Sequence, residues 1–118
     1  MLAGLASCGR REPASGSSQL TIAVIPKGAN QVYWKSVHAG AVKAAQELGG
    51  EIIGKGPIKE DDRESQIKVV EDFVSRGVSG IVLAPLDDTA LRPAVAEATR
   101  RKIPVTIIDV TLPSDQQL

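Results

Sequence analysis

Leu20-Thr-Ile-Ala-Val-Ile25, closed by Pro26-Lys27-Gly28, is the stretch whose reading decides the fold. A short apolar run stopped by proline and glycine is what a buried strand of a parallel sheet looks like. Outward from it the pattern recurs. Val37, Ala41, Ala44, Ala45 and Leu48 repeat at helical spacing, and Gly49-Gly50 supplies the stop. Glu51-Ile52-Ile53 is a second, short strand. Asp61-Asp62 predicts the cap of a second helix with Ile67, Val70, Phe73 and Val74 on its apolar face, ending near Gly77 after Arg76 has complemented its dipole. Gly80-Ile81-Val82-Leu83-Ala84 is a third strand, closed by Pro85. Asp87-Asp88-Thr89 offer capping oxygens to a third helix that buries Val95 and Ala98, with Pro93 expected in its first turn. Ile103-Pro104 breaks that helix, and Val105-Thr-Ile-Ile-Asp109 is a fourth strand.

The resulting order is βαβαβαβ, an α/β doubly wound parallel sheet with expected strand order 2-1-3-4, because each helix is long enough for a right-handed crossover. In such sheets ligands bind at the carboxyl ends of the strands. Those ends are Pro26–Trp34, Gly54–Asp61, Pro85–Thr89 and Asp109–Thr111.

Composition narrows the chemistry. The 118 residues carry fourteen Lys+Arg and fourteen Asp+Glu, a formal charge of zero. Nucleic acid is therefore not the expected partner, since neutralising phosphates needs a basic excess or a dense basic patch. One Cys excludes an intramolecular disulfide and a four-cysteine zinc site, and one His excludes the usual multi-histidine metal sites. No cofactor, metal or catalytic residue is expected.

Gly49-x-x-x-x-Gly54-Lys55 begins like a phosphate-binding loop but continues with Gly56 instead of Ser or Thr, and its glycines flank a strand instead of joining strand to helix. His38 sits beside the apolar stripe of the first helix and reads as a surface residue. Glu60-Asp61-Asp62-Arg63-Glu64 reads as helix capping, and Arg100-Arg101-Lys102 as cations closing the third helix.

Asn30, Tyr33, Trp34 and Asp109 stand apart. An aromatic pair opening a helix at the carboxyl edge suits stacking on the C–H face of a sugar ring. A strand-ending carboxylate accepts two hydroxyl donors, and an Asn both donates and accepts. Lys27 faces either the same cleft or solvent. The competing reading makes Trp34 a core residue of the first helix and Asp109 a mere strand end.

In the first nineteen residues, Leu5-Ala6-Ser7-Cys8 resembles the bacterial lipobox, in which the Cys is lipidated and anchors the chain. Arg10–Gln19, rich in Ser, Gly and Pro, then forms a tether. Only seven residues precede Cys8, with no basic region among them, so the expected leader is a shortened one.

The ordered series is similar to one family. Ile22-Ala-Val-Ile-Pro-Lys-Gly28, Tyr33-Trp34 before Gly40-Ala41, Asp61-x₄-Gln66-Ile67, Val78-Ser-Gly-Ile-Val-Leu-Ala-Pro-Leu-Asp87 and Ile103-Pro-Val-Thr-Ile-Ile-Asp109 resemble the amino-terminal lobe of periplasmic sugar-binding proteins of ABC importers, ribose-binding type. These share a Rossmann-like fold with the effector domains of lac-repressor-like regulators. The resemblance implies a non-enzymatic solute-binding component of a carbohydrate importer. The sugar would lie between two closing lobes, with Tyr33 or Trp34 stacking, and with Asn30 and Asp109 on its hydroxyls. It also implies an inner-membrane ABC permease as partner, a periplasmic or envelope location, and an anchor at Cys8. Residues 1–19 are then leader and tether, 20–110 the lobe, and 111–118 a frayed tail or the start of a crossover. Two departures matter: Val110 stands where a polar residue is common, and Gln31-Val32 where Asn-Pro is frequent. The rival is the effector domain of a transcriptional regulator lacking its DNA-reading headpiece, against which the lipobox and tether argue.

Overall fold

The computed structural model describes residues 19–109; Cys8, the tether as far as residue 18 and the segment beyond Asp109, including Val110, lie outside them. Four strands and three helices alternate: β1 Thr21–Ile25, α1 Val32–Leu48, β2 Glu51–Gly54, α2 Arg63–Arg76, β3 Gly80–Leu83, α3 Asp88–Arg100 and β4 Val105–Ile107. All pairings are parallel and the order is β2-β1-β3-β4, as the sequence predicts.

Alternation along the strands sends Ala23, Ile25, Ile81 and Leu83 to one face, where α2 and α3 cover them. Phe73, Val70 and Val74 of α2 and Leu91, Ala94 and Ala98 of α3 complete this core. Ile22, Val24, Ile52 and Val82 point to the other face, where α1 lies. The expected apolar stripe of α1 is not buried: Trp34 is the only buried residue of that helix, and Leu48 is 86% exposed. Among the described residues, the two faces of the sheet are therefore covered unequally.

Local chemistry explains the element ends. Gly49 and Gly77 take left-handed φ of 83° and 72° at the ends of α1 and α2, a conformation that favours glycine. The Asp62 side chain accepts from the Ser65 N–H at 3.0 Å, and the Asp87 side chain accepts from the Ala90 N–H at 2.8 Å.

The third helix begins earlier than a first-turn proline requires. Capped by Asp87, it starts at Asp88 and carries Pro93 in its interior. Ala94 and Ala98 are buried, whereas Val95 is only half-buried. A proline there forgoes one intrahelical hydrogen bond, and placing it on the exposed side leaves the carbonyl it frees open to water.

Candidate functional site

The turn after β1 carries the cluster expected at the carboxyl edge. Pro26 ends the strand, and the chain passes through Lys27, Gly28, Ala29 and Asn30 before Gln31 opens α1. The Ala29 N–H donates to the Pro57 carbonyl at 2.8 Å, lashing this turn to the one after β2. Gly28 lets them close: a Cβ there would sit 2.8 Å from the Glu60 side chain.

Lys27 and Asp109, eighty-two positions apart, meet at the edge. The Lys27 ammonium donates to Asp109 Oδ2 at 2.8 Å, and both side chains are partly exposed. Asp109 has φ of 66°, a left-handed backbone that Asp tolerates better than most residues, and this turns the chain immediately after β4. The pair is electrically neutral and keeps spare donors on nitrogen and spare lone pairs on oxygen. That suits a ligand rich in hydroxyls better than one of strong charge.

The two aromatic residues separate. Tyr33 is 57% exposed, while Trp34 is 4% exposed. Their rings meet edge to face with centroids 4.8 Å apart and planes at 78°. The Trp34 indole N–H donates to Glu60 Oε1 at 2.6 Å. The adjacent pair is therefore not an exposed pair: Tyr33 offers a ring to solvent, and Trp34 forms the wall behind it. Asn30 is exposed on the same turn.

A cleft of about 220 Å³ opens beside these residues, between the start of α1 and the ends of β1 and β2. Trp34, Lys35, His38, Gly54 and Lys55 line it, with Ile108 at its far side. His38 is exposed, and its ring lies against Gly54, where any Cβ would collide with it. Gly49 and Gly54 end α1 and β2 respectively, so no strand-to-helix phosphate loop forms between them.

Two further residues organise this edge, and the sequence assigns neither of them a place in it. Glu60 belongs to an acidic run that reads as capping, yet only Asp62 caps, while Glu60 turns to Trp34. Gln66 is fully buried and serves both neighbouring turns: its amide donates to the Pro26 carbonyl at 3.0 Å and the Ala84 carbonyl at 2.8 Å, and its oxygen accepts from the Leu86 N–H at 2.8 Å. A polar residue one position before Ile67, beside the apolar face of its helix, is the signal that could have found it. Arg63 bonds Asp87 at 2.7 Å, joining the start of α2 to the cap of α3. The Ala90 N–H, followed by Arg63, holds the Asp87 carboxyl below its ordinary range.

Comparison with known proteins bears on the fold and the family. Residues 22–118 match the family model described as a periplasmic binding protein domain. The galactofuranose-binding protein of Escherichia coli K12 is 33% identical over 100 residues, which is 81% of this chain and 31% of that protein. The D-ribose/D-allose-binding protein of Pseudomonas aeruginosa is 33% identical over 90 residues, 75% of this chain and 28% of that one. Among solved structures, an ABC transporter solute-binding protein from Agrobacterium vitis with bound D-fucose superposes with a TM-score of 0.77 at 41% identity. The match covers 81% of this chain and 33% of that one. A solute-binding protein from Actinobacillus succinogenes with bound D-allose gives a TM-score of 0.77 at 28% identity, covering 83% and 34%. The chain spans about a third of the length of the curated relatives it matches. By sequence model, strand order and superposition, the chain belongs to the periplasmic binding protein family.

Proposed function

We propose that this chain is the amino-terminal solute-binding lobe of an ABC-type carbohydrate importer, holding one side of a monosaccharide at the carboxyl edge of its sheet. The observation that carries the reading is the Lys27–Asp109 pair beside the exposed Tyr33 ring, a neutral hydrogen-bonding group next to a stacking surface. Tyr33 supplies the flat face, with Trp34 fixing its tilt from behind. Asp109 accepts from two hydroxyls, Lys27 donates to a ring or hydroxyl oxygen, and Asn30 does both. The named relatives bind galactofuranose, ribose and allose, and the solved neighbours hold D-fucose and D-allose, which supports a sugar as the ligand class. The chain binds and does not transform its ligand. An inner-membrane permease is its partner, the periplasm or envelope its location, and lipidated Cys8 its anchor.

Trp34 is the only tryptophan and lies behind the stacking ring, so its emission reports binding. A titration with D-fucose and D-allose should give a Kd on the order of 1 mM or weaker, because this lobe supplies only one wall of the site. Asp109→Ala should abolish the response. A response that Asp109→Ala leaves unchanged overturns the site, and micromolar binding by the chain alone overturns the single-wall reading.

A further inference from the structure

Lys27 and Asp109 do not follow neighbouring strands. In the order β2-β1-β3-β4, β3 lies between the strand that leads to Lys27 and the strand that leads to Asp109. The register sets their heights. Ile25 pairs with Leu83 and Leu83 with Ile107, so these residues form one row across the sheet. Lys27, Pro85 and Asp109 each stand two positions beyond that row. The ion pair therefore bridges the end of β3 at the level of Pro85, across two strand spacings of about 4.8 Å each. Lysine spans this on its four-carbon stem. Its 2.8 Å contact with Asp109 then depends on where its own backbone starts and on how high the intervening turn stands.

Gln66 fixes both. Asp62 caps α2, and the helical repeat from that start puts Gln66 on the same buried face as Val70 and Phe73. Its amide nitrogen donates at 3.0 Å to the carbonyl of Pro26, the residue immediately before Lys27, and at 2.8 Å to the Ala84 carbonyl. Its oxygen accepts from the Leu86 N–H at 2.8 Å. The bonds to Ala84 and Leu86 bracket Pro85, which is buried and has no N–H of its own to hold the turn. Two carbonyls and one N–H call for two donors and one acceptor on a single group. A primary amide supplies that set, whereas a carboxylate has no donor and an ammonium no acceptor. All three side-chain bonds of this fully buried residue thus go to the two turns that the ion pair starts from and crosses.

We propose that Gln66 is a positioning residue of the sugar site: it holds the foot of Lys27 and the turn at Pro85 at the heights from which the ammonium crosses β3 to Asp109. It touches no ligand and acts through Lys27. Its bearing on sugar rests on the reading of Lys27 and Asp109 as ligand contacts, whereas the crossing itself is testable without any sugar.

The test uses the 118-residue chain and reads the Lys27 Cε–Hε resonances by NMR. Asp109→Ala supplies the position these resonances take when the pair is broken. Gln66→Met keeps the length of the side chain and removes its hydrogen bonds, and it should move the Lys27 resonances to that position. It should also weaken D-fucose binding, followed by Trp34 emission, at least about tenfold. Resonances that stay at the parent position in a folded Gln66→Met chain overturn the proposal, because a residue that only adds stability lowers the urea midpoint without moving Lys27. If Gln66→Met does not fold, the same coupling is read from its other end, since coupling between two sites is reciprocal. Lys27→Met and Asp109→Ala, both at partly exposed positions, should then each shift the Gln66 side-chain amide resonances. Unmoved amide resonances overturn the proposal as well. Lys27 resonances displaced by Gln66→Met, with the D-fucose response unchanged, would uphold the positioning role and overturn the sugar site built on the pair.

Discussion

At the scale of single residues, the contact between Trp34 and Glu60 carries a role that the local sequence does not announce. The indole is 4% exposed and its only polar atom, the N–H, is met by a carboxylate from a turn twenty-six positions away. Removing that acceptor leaves a nearly buried donor unpaired, which costs about 1–3 kcal/mol. Glu60→Ala should therefore shift Trp34 emission to the red and raise its quenching by iodide, while Glu60→Gln, which keeps an oxygen acceptor, should restore both. If Ala and Gln variants behave alike, the carboxylate oxygen is not what holds the ring. The positions of Asn30, Tyr33, Trp34 and Asp109 at one edge are legible from strand-end logic. The burial of Trp34 enters the sequence only as the competing reading, because it depends on Gly28 leaving room for Glu60, a fit between two turns remote in sequence. The sequence leaves Lys27 open between cleft and solvent for the same reason: its partner arrives from the last strand of the sheet.

At the scale of elements, strand–helix alternation and the sheet order are readable almost throughout, because glycine and proline punctuate the junctions. Register within helices is harder to read. The spacing predicts Pro93 in a first turn, but an Asp87 side chain bonded to the Ala90 N–H starts the helix five residues before the proline. Gln66 shows the opposite case, a polar residue whose buried place in α2 serves to bind the turns after β1 and β3 together. Gln66→Leu should cost about 3 kcal/mol, read as a lowered urea midpoint with unchanged slope, since it strands two carbonyls and one N–H. A variant as stable as the parent would mean water reaches those groups.

The end of α3 makes a pH prediction. Arg100 and Arg101 hold the Glu97 carboxyl at about 2, well below its ordinary 4.5, and Glu97 in turn raises the Arg100 guanidinium. A depressed carboxyl contributes stability above its unfolded value and loses it as pH falls towards the folded one. The contribution is therefore present at neutral pH and fades between about pH 4.5 and 2. Because the cluster is exposed, the effect should be small and screened by salt. Glu97→Gln should flatten the acid dependence of the melting midpoint in this window at low salt. It should leave that dependence unaltered in about 1 M salt, where charges are screened beyond roughly 3 Å. An unchanged acid slope at low salt would mean that Glu97 does not carry the acid dependence.

At the scale of the whole molecule, the unequal covering of the sheet divides stability between its two faces. Phe73, fully buried, sits among the residues of the α2–α3 side, and Arg76 lies over its ring at 5.4 Å. On the α1 side, Leu48 is mostly exposed. Truncation to alanine should thus have very unequal effects at the two positions. Phe73→Ala should cost about 3–5 kcal/mol, from lost transfer energy and the cavity left behind. Leu48→Ala should stay within about 0.5 kcal/mol in the isolated chain, as surface substitutions do. Urea midpoints of the two variants measure this directly. A large penalty at Leu48 would mean that the α1 flank is covered in the folded chain and that its exposure is not what sets the cost.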